Sequence, residues 1–205
     1  MLQTCIRNEL VQEQTMTGII LSGGENSRMG ANKAFLTRDG ERLIDRTVKI
    51  FKDLFREVIL VTNDPLEYLD LDVQIVTDIY EKKKALGGIY TGLFYTSCDH
   101  AFMTACDMPF LNQRFIAYMM EQIRDYDIIV PQTADGLQPL HAIYSRRCLP
   151  AIKNLLLQDK LKVTGFYKGL KSLCIPEEII KTFDPEFRMF LNINTPEDLM
   201  QLKPI

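Results

Sequence analysis

Paired glycines and two cations stand close together near the beginning of the sequence, in the segment LSGGENSRMGANKAFL at residues 21–36. Gly23 and Gly24 have no side chains, so their backbone approaches a ligand closely and turns its N–H groups toward an anion. Arg28 and Lys33 add two positive charges and several hydrogen-bond donors, which suit a triphosphate. The spacing matches neither GxGxxG nor GxxxxGK(S/T), the signatures of dinucleotide folds and P-loops. We therefore predict an anion cradle here rather than a tight turn with exposed basic side chains.

A candidate metal ligand, Asp107, follows the apolar run AFMTAC at 101–106 and precedes Met108 and Pro109. Ligands of parallel α/β sheets bind beyond the carboxyl ends of the strands, so a carboxylate in this position faces the crevice. Mg²⁺ usually takes one or two carboxylates together with phosphate oxygens. Aspartate also caps turns before proline, but the strand-end position favours a Mg²⁺ ligand.

Two further polar residues follow predicted strands, and their roles stay open. Asp78 ends an apolar run and either caps a turn or binds a ribose hydroxyl or a base. Asn63 precedes Asp64 and Pro65, which favours an Asx turn over a contact with a base or sugar.

The histidine and asparagine residues farther along the chain are expected to be structural. His141 has no Ser or Cys partner that would make a nucleophile–base pair visible in the sequence. Asn192 and Asn194 are expected to satisfy local backbone groups rather than to line the crevice.

The elements that must position these residues are indicated by short apolar runs and by helical spacing of apolar residues. Alternation of the two predicts an α/β fold with three layers, in which helices cover both faces of a mostly parallel sheet. Thr195, Pro196 and the acids that follow predict the start of a last helix. The predicted strands are 18–21, 57–61, 73–76, 101–106, 128–131, 140–144 and 172–175, and the predicted helices are 41–55, 89–97, 112–124 and 146–157.

One domain is expected over residues 16–205, because a chain of 205 residues fits a single core. Residues 1–15 differ from the rest in being polar, with apolar residues spaced as in a short amphipathic helix. We predict an N-terminal extension without a function, and Met16 is an alternative start of the chain.

Composition excludes several classes of protein. The net charge of −3 argues against a sequence-independent nucleic-acid binder, which would carry a basic excess. The five cysteines are odd in number and none forms a CxxC pair, so we expect reduced thiols in a cytoplasmic protein. Neither a signal peptide nor a membrane-spanning run is visible.

Residues 21–36 resemble the signature loop LxGGxSxRMGxxKxxL of the molybdenum cofactor guanylyltransferases. The wider superfamily is that of the sugar-phosphate and cofactor nucleotidyltransferases, with a Rossmann-like fold of the nucleotide-diphospho-sugar transferase type. The resemblance extends from Met16 to Leu202. Further similar segments are CDMPF at 106–110, Asp78 with the glycine-rich run 87–92, QPLHAIY at 138–144 and NINTPEDL at 192–199.

The resemblance implies roles for particular residues. Asp107 would hold Mg²⁺, Lys33 would bind phosphate, and Arg28 would assist Lys33. The nucleotide itself would be contacted by the backbone of Leu21, Ser22 and Gly23. Asp78 would also contact the nucleotide, with Asn63 as a helper.

This sequence departs from the family pattern at two places. Gly88 stands where the family usually has proline, which suggests a more mobile loop over residues 87–92. Asn26 and Ser27 also differ slightly from the signature, which leaves the base preference open.

The resemblance implies transfer of GMP from GTP to molybdopterin, or to its molybdenum-loaded form, with release of pyrophosphate. It also implies contact with proteins that insert molybdenum. One alternative is the same chemistry with CTP or with a sugar phosphate as acceptor, and another is a nucleotide-binding regulatory protein without catalysis. The intact Arg28, Lys33 and Asp107 argue against the last alternative. The acceptor-binding residues and the oligomeric state are not predicted.

Overall fold

The computed structural model describes residues 16–23, 33–38, 40–193 and 198, and for Lys33 it describes the backbone alone. The predicted extension 1–15, the side chains of Arg28 and Lys33, and the helix predicted to begin at Thr195 therefore lie outside the described residues.

Among the described residues, eight strands form one sheet in the order β10-β7-β9-β6-β1-β4-β5, with β8 paired to β7. The central strand β1 pairs in parallel with β4 and β6, β4 pairs in parallel with β5, and β10 pairs in parallel with β7. The predicted mostly parallel sheet is confirmed. The strands are β1 (Thr17–Ser22), β2 (Thr37–Arg38), β3 (Glu41–Arg42), β4 (Glu57–Thr62), β5 (Gln74–Val76), β6 (His100–Ala105), β7 (Ile128–Thr133), β8 (Gly136–Leu137), β9 (His141–Ser145) and β10 (Ser172–Ile175).

Helices cover both faces of the sheet, as the three-layer prediction requires. One hydrophobic core lies under α1, α3 and α5, and a second lies under α2 and α4. The first core buries Ile44, Val48 and Phe51, which recur at helical spacing along α1. The helices are α1 (Leu43–Leu54), α2 (Lys84–Tyr95), α3 (Gln113–Glu121), α4 (Leu149–Leu157) and α5 (Glu177–Phe183).

Strand β9 runs antiparallel to both of its neighbours, β6 and β7. The connection from β7 to β9 spans residues 134–140. A parallel crossover needs a dozen or more residues, so this short connection returns the chain in the opposite direction. The short β2–β3 hairpin, β8 and α5 were not predicted, because each is too short to produce a clear periodic pattern.

The predicted start of α2 at residue 89 was wrong, because the glycines before it are typical of a loop. The helix begins at Lys84 and includes Gly87, Gly88 and Gly92, so the mobile loop expected over 87–92 is a helix. A Cβ added at Gly92 would lie 2.7 Å from Cγ2 of Ile19 in β1. The glycine therefore allows the helix to approach the sheet closely, and this packing outweighs its low helix propensity.

In the part of the chain that the structure describes, every helix is too short or too polar to cross a lipid bilayer.

Candidate active site

Of the predicted site residues, Leu21, Ser22, Gly23, Asp78 and Asp107 lie along the edge of the sheet where the parallel strands end. Leu21 and Ser22 complete β1, and Gly23 follows them. Leu21 is in register with Val61 of β4 on one side and Ala105 of β6 on the other. The ends of β4, β1 and β6 therefore stand side by side, in the place where ligands of parallel α/β sheets bind.

Asp107 follows β6 in a tight turn, in which the N–H of Met108 donates to the carbonyl of Ala105 at 3.2 Å. The N–H of Cys106 donates to the carbonyl of Leu21 at 3.0 Å, which extends the pairing of β1 and β6 beyond β6 itself. The carbonyl of Asp107 accepts from the N–H of Ile193 at 2.8 Å. Asp107 is thus held beside the end of β1, as the sequence predicts.

Asp78 and Asn63 form a paired unit beyond β5 and β4. The Asn63 amide Nδ2 donates to Oδ2 of Asp78 at 3.0 Å, and Oδ1 of Asn63 accepts from the N–H of Asp78 at 3.3 Å. Burial raises the pKa of Asp78 above its usual value, and polar contacts with Asn63 and Thr91 oppose that rise. Asn63 therefore orients and stabilises the Asp78 carboxylate.

The Asx turn favoured for Asn63 was wrong, and Pro65 explains why. An Asx turn needs the backbone N–H two residues later, and proline has none. The N–H of Asp64 instead donates to Oγ1 of Thr62 at 3.2 Å. This leaves the side chain of Asn63 available for Asp78.

The second carboxylate oxygen of Asp78, Oδ1, is buried and has no hydrogen bond of ordinary geometry within the described residues. A Cβ added at Gly88 would lie 3.8 Å from this oxygen and 3.2 Å from Cδ2 of Leu21. Asp78 therefore approaches the end of β1 across the bare backbone of Gly88. Thr91 contacts the carboxylate, but a buried oxygen without a well-formed hydrogen bond is costly unless a ligand supplies a donor, which favours ligand binding over the turn-cap alternative.

The described residues fit a magnesium ion that is bound by one carboxylate, with phosphate oxygens and water as its other ligands. Among the described residues, no group of three His, Cys, Asp or Glu side chains could hold a metal ion. Mg²⁺ does not require such a cage, since one carboxylate with phosphate oxygens and water is sufficient. Asp107 fits this requirement through its position beside the backbone that ends β1.

Lys33 opens a short 3-10 turn, Lys33–Phe35, at the far end of the glycine-rich segment. The ring of Phe35 packs against Tyr68 with a centroid distance of 5.1 Å, and the Tyr68 hydroxyl lies 2.6 Å from Oγ of Ser22. The turn that begins at Lys33 is thereby linked to the end of β1 through Phe35 and Tyr68.

His141 is fully buried in the first core, among the rings of Phe102, Phe115 and Phe190. Burial lowers its pKa from 6.5 to about 3, so the imidazole is neutral at physiological pH. Neither ring nitrogen has a hydrogen-bond partner among the described residues. These surroundings agree with the structural role expected from the sequence.

A cleft of about 630 Å³ lies at the opposite edge, near the amino ends of β4 and β5. Glu57 and Ser97 belong to its lining, as do Lys52 and Asp72, which form a surface ion pair at 2.8 Å. Glu57 accepts hydrogen bonds from Oγ1 of Thr17 at 2.6 Å and from the N–H of Ser97 at 3.1 Å. These polar groups satisfy one another, and the cleft contains none of the predicted site residues.

Comparison with known proteins relates the chain to a family of nucleotidyltransferases. Residues 18–172 match the model of the family described as MobA-like NTP transferase domain. A molybdenum cofactor guanylyltransferase of Desulfosudis oleivorans is 40% identical over 186 residues, which are 90% of this chain and 92% of that protein. A probable molybdenum cofactor guanylyltransferase of Natranaerobius thermophilus is 34% identical over 92% of this chain and 95% of that protein.

Solved structures share the fold. Molybdopterin-guanine dinucleotide biosynthesis protein A of Archaeoglobus fulgidus superimposes with a TM-score of 0.77 at 24% identity, over 91% of this chain and 96% of that chain. The 4-diphosphocytidyl-2C-methyl-D-erythritol synthase of Anaerococcus prevotii gives a TM-score of 0.66 at 13% identity, over 94% and 96%. At these identities the likeness concerns the fold alone.

Proposed function

Because the chain belongs to the MobA-like NTP transferase family, we propose that it transfers GMP from GTP to molybdopterin or its molybdenum-loaded form. Pyrophosphate is the second product. Relatives named molybdenum cofactor guanylyltransferase, 34–40% identical over about nine tenths of the chain, support the choice of reaction. The observation that carries the proposal is the alignment of Leu21, Ser22, Gly23, Asp78 and Asp107 along one sheet edge.

In this reaction, an oxygen of the acceptor's terminal phosphate attacks the α-phosphorus of GTP. The new P–O bond forms as the bond between the α-phosphorus and the bridging oxygen to the β-phosphate breaks, and pyrophosphate leaves with that oxygen. A phosphate monoester is already anionic near neutral pH, so the site needs no strong general base. Catalysis then depends on positioning the two phosphates and neutralising their charge.

The nucleotide is held at two places in this proposal. The backbone of Leu21, Ser22 and Gly23 contacts the guanine nucleotide, and buried Oδ1 of Asp78 accepts a hydrogen bond from the base or ribose. Lys33 binds phosphate with the help of Arg28. The two positive charges of these side chains offset the negative charges of the triphosphate.

Asp107 would hold Mg²⁺ against the phosphates of GTP. When bound, the ion would reduce the negative charge on the phosphate oxygens and favour the departure of pyrophosphate. The role of the protein is to fix the backbone that carries this carboxylate, and it does so through the turn after β6 and the hydrogen bond from the N–H of Ile193 to the carbonyl of Asp107.

Thermal-shift titration with GTP, CTP, ATP and UTP in the presence of Mg²⁺ tests the base preference, because a ligand that binds only the native state raises its melting temperature. The largest shift is expected with GTP. A larger shift with CTP would overturn guanylyl transfer in favour of cytidylyl transfer, which the shared fold of the cytidylyl enzyme allows.

Pyrophosphate release on mixing the protein with GTP, Mg²⁺ and molybdopterin tests catalysis itself. Release only when all components are present is expected. Tight GTP binding without any release would instead favour a regulatory protein. A sugar phosphate that replaces molybdopterin efficiently would change the acceptor.

We also propose that proteins that insert molybdenum are partners of this chain. A cytoplasmic location is proposed on the four described cysteines, all of which are free thiols.

A further inference from the structure

Tyr68 lies far in the sequence from the glycine-rich segment 21–36 but contacts both of its described ends, which are residues 21–23 and 33–36. It closes the 3-10 turn Pro65–Tyr68 after β4 and is completely buried. Its hydroxyl lies 2.6 Å from Oγ of Ser22, the last residue of β1, and Ser22 is itself only 5% exposed. The hydroxyl of Ser22 is therefore engaged inside the protein, and only the backbone of Ser22 remains for a ligand.

The ring of the same tyrosine contacts the second described end. It packs against Phe35 with a centroid distance of 5.1 Å and an interplanar angle of 33°. The guanidinium of Arg42 lies over the Phe35 ring, 5.4 Å from its centroid, and Nε of Arg42 donates to Asp45 at 2.7 Å. Phe35 is therefore held between a buried ring and a cation that is fixed in turn.

A purely apolar role for Tyr68 does not explain its hydroxyl. Burying a hydroxyl costs free energy unless a hydrogen bond compensates, and phenylalanine would fill the same space without that cost. The compensating contact is made to Ser22, at the point where β1 enters the predicted nucleotide site.

We infer that Tyr68 is a positioning residue for nucleotide binding, which fixes the end of β1 and the Lys33–Phe35 turn relative to each other before GTP arrives. This inference rests on the proposed function. Backbone groups that are already fixed lose less conformational entropy when a ligand binds to them, so affinity increases without a new contact to the ligand. The residues in direct contact with GTP would remain those named above.

Tyr68→Phe tests the inference, because it keeps the ring against Phe35 and removes the hydroxyl. We expect KM for GTP to rise about tenfold, equivalent to about 1.4 kcal/mol, while kcat changes by less than about threefold. The matched control is Tyr167→Phe, which also breaks a hydroxyl–hydroxyl contact, between Tyr167 and Tyr144 at 2.7 Å. Tyr144 lies in the second core and retains its bond to the carbonyl of Pro139 at 2.7 Å. The control should leave KM unchanged.

Ser22→Ala removes the same contact from the other side and preserves the backbone. A double-mutant cycle with Tyr68→Phe should therefore be strongly non-additive, with KM of the double variant close to that of either single variant. Additive increases in KM would mean that the two hydroxyls act separately, and the inference would be wrong. Ser22→Ala alone decides the matter if Tyr68→Phe does not fold.

A role confined to stability predicts a different pattern. Tyr68→Phe would then melt at a lower temperature but show a wild-type KM for GTP at a temperature where it is fully folded, and this result would overturn the inference. Failure of the wild-type protein to bind GTP would instead refute the proposed function. The two failures are thus told apart by the wild-type titration.

Discussion

Asn63 and Asp78, which stand 15 positions apart in the chain, exchange two hydrogen bonds at the ends of neighbouring strands. The pair fixes one carboxylate oxygen of Asp78 on the protein side and leaves the other, Oδ1, buried near Leu21 and Gly88. Asp78 is therefore oriented before any ligand binds. A preset acceptor of this kind contributes to specificity, because a ligand that lacks the matching donor leaves it unpaired.

Removing this support should weaken GTP binding in a pH-dependent way. In Asn63→Ala, the Asp78 carboxylate loses a donor that stabilises its charged form, so the pKa of Asp78 should rise above that in the wild type, because burial is then opposed less. We expect KM for GTP to increase about threefold to tenfold near neutral pH, in line with one lost hydrogen bond. As the pH falls, KM for GTP should begin to rise at a higher pH in Asn63→Ala than in the wild type, because the Asp78 carboxylate of the variant is protonated at a higher pH.

KM measured from pH 8 to about pH 5 checks this expectation. Asn154→Ala is a suitable control, because it removes an exposed hydrogen bond of 2.9 Å to Gln158 on α4. Equal pH profiles for Asn63→Ala and the wild type would show that Asp78 is oriented by other groups.

Asp107→Asn should reduce turnover by about 10²–10³-fold, the cost of removing one electrostatic contribution to the transition state. The amide has nearly the same shape but no charge, so the variant should fold while binding Mg²⁺ poorly. Turnover measured over a range of Mg²⁺ concentrations checks the prediction, and a partial recovery at high Mg²⁺ is expected. Asp53→Asn, an exposed change on α1, serves as the control. Near-normal turnover of Asp107→Asn at low Mg²⁺ would contradict the assignment of the metal ligand.

The strand-end residues were predictable because their position follows from chain order alone. Asp107 comes after an apolar run in a sheet that had to be mostly parallel, and that is sufficient to place it at the ligand-binding edge. The contact between Ser22 and Tyr68 was not predictable, since it joins residues 46 positions apart and neither residue type has a distinctive motif. The pairing of Asn63 with Asp78 had one usable signal in the sequence, namely that Pro65 cannot complete an Asx turn.

The error at Gly87 and Gly88 has a physical cause as well. A glycine pair ordinarily marks a loop, because glycine weakens a helix by about 1 kcal/mol relative to alanine. Here the absence of a side chain at Gly88 lets α2 approach Leu21 of β1 and the buried oxygen of Asp78, and a Cβ added at Gly87 would lie 3.0 Å from the carbonyl oxygen of Tyr80. Such tertiary packing can be seen only once the partner strand is known.

Substitution of His141 should change the response of stability to acid. The pKa of His141 is lowered by burial from 6.5 to about 3, so the unfolded chain binds a proton at a pH where the folded chain does not. Its contribution to stability is therefore complete above pH 6.5 and is lost as the pH falls from there toward 3. His141→Leu removes this component and also removes two buried nitrogens that lack partners among the described residues. We expect equal or greater stability at pH 7, by up to about 1 kcal/mol.

Urea unfolding at pH 7, 6, 5 and about 4 measures the effect as a smaller loss of free energy of unfolding on acidification. The other histidine, His100, is half-buried, and its Nε2 lies 3.2 Å from the carbonyl of Tyr126. His100→Gln is therefore the matched substitution at the second histidine. If the free energy of unfolding of His141→Leu falls on acidification as steeply as that of the wild type, the acid sensitivity belongs to other groups.

Two alanine substitutions within α2 should differ in their effect on the stability of the protein. Both Gly88→Ala and Gly92→Ala improve helix propensity by about 1 kcal/mol. The new Cβ of Gly92→Ala would lie 2.7 Å from Cγ2 and 2.8 Å from Cδ1 of Ile19, so the helix must move away from the sheet. We expect a net loss of about 1–3 kcal/mol of stability. In Gly88→Ala the nearest atom is a Leu21 methyl at 3.2 Å, which can shift by a few tenths of an ångström, and stability should stay near the wild type.

The two variants should separate again when GTP is added. The Cβ of Gly88→Ala would stand 3.8 Å from Oδ1 of Asp78, in van der Waals contact with that oxygen, and would reduce the room for a ligand's donor beside it. We therefore expect a several-fold weaker thermal shift with GTP and Mg²⁺ for Gly88→Ala, and a normal shift for Gly92→Ala from its lower starting temperature. Because each variant is the other's control, a loss of stability in Gly88→Ala together with normal GTP binding would contradict the approach of Asp78 across the bare backbone of α2.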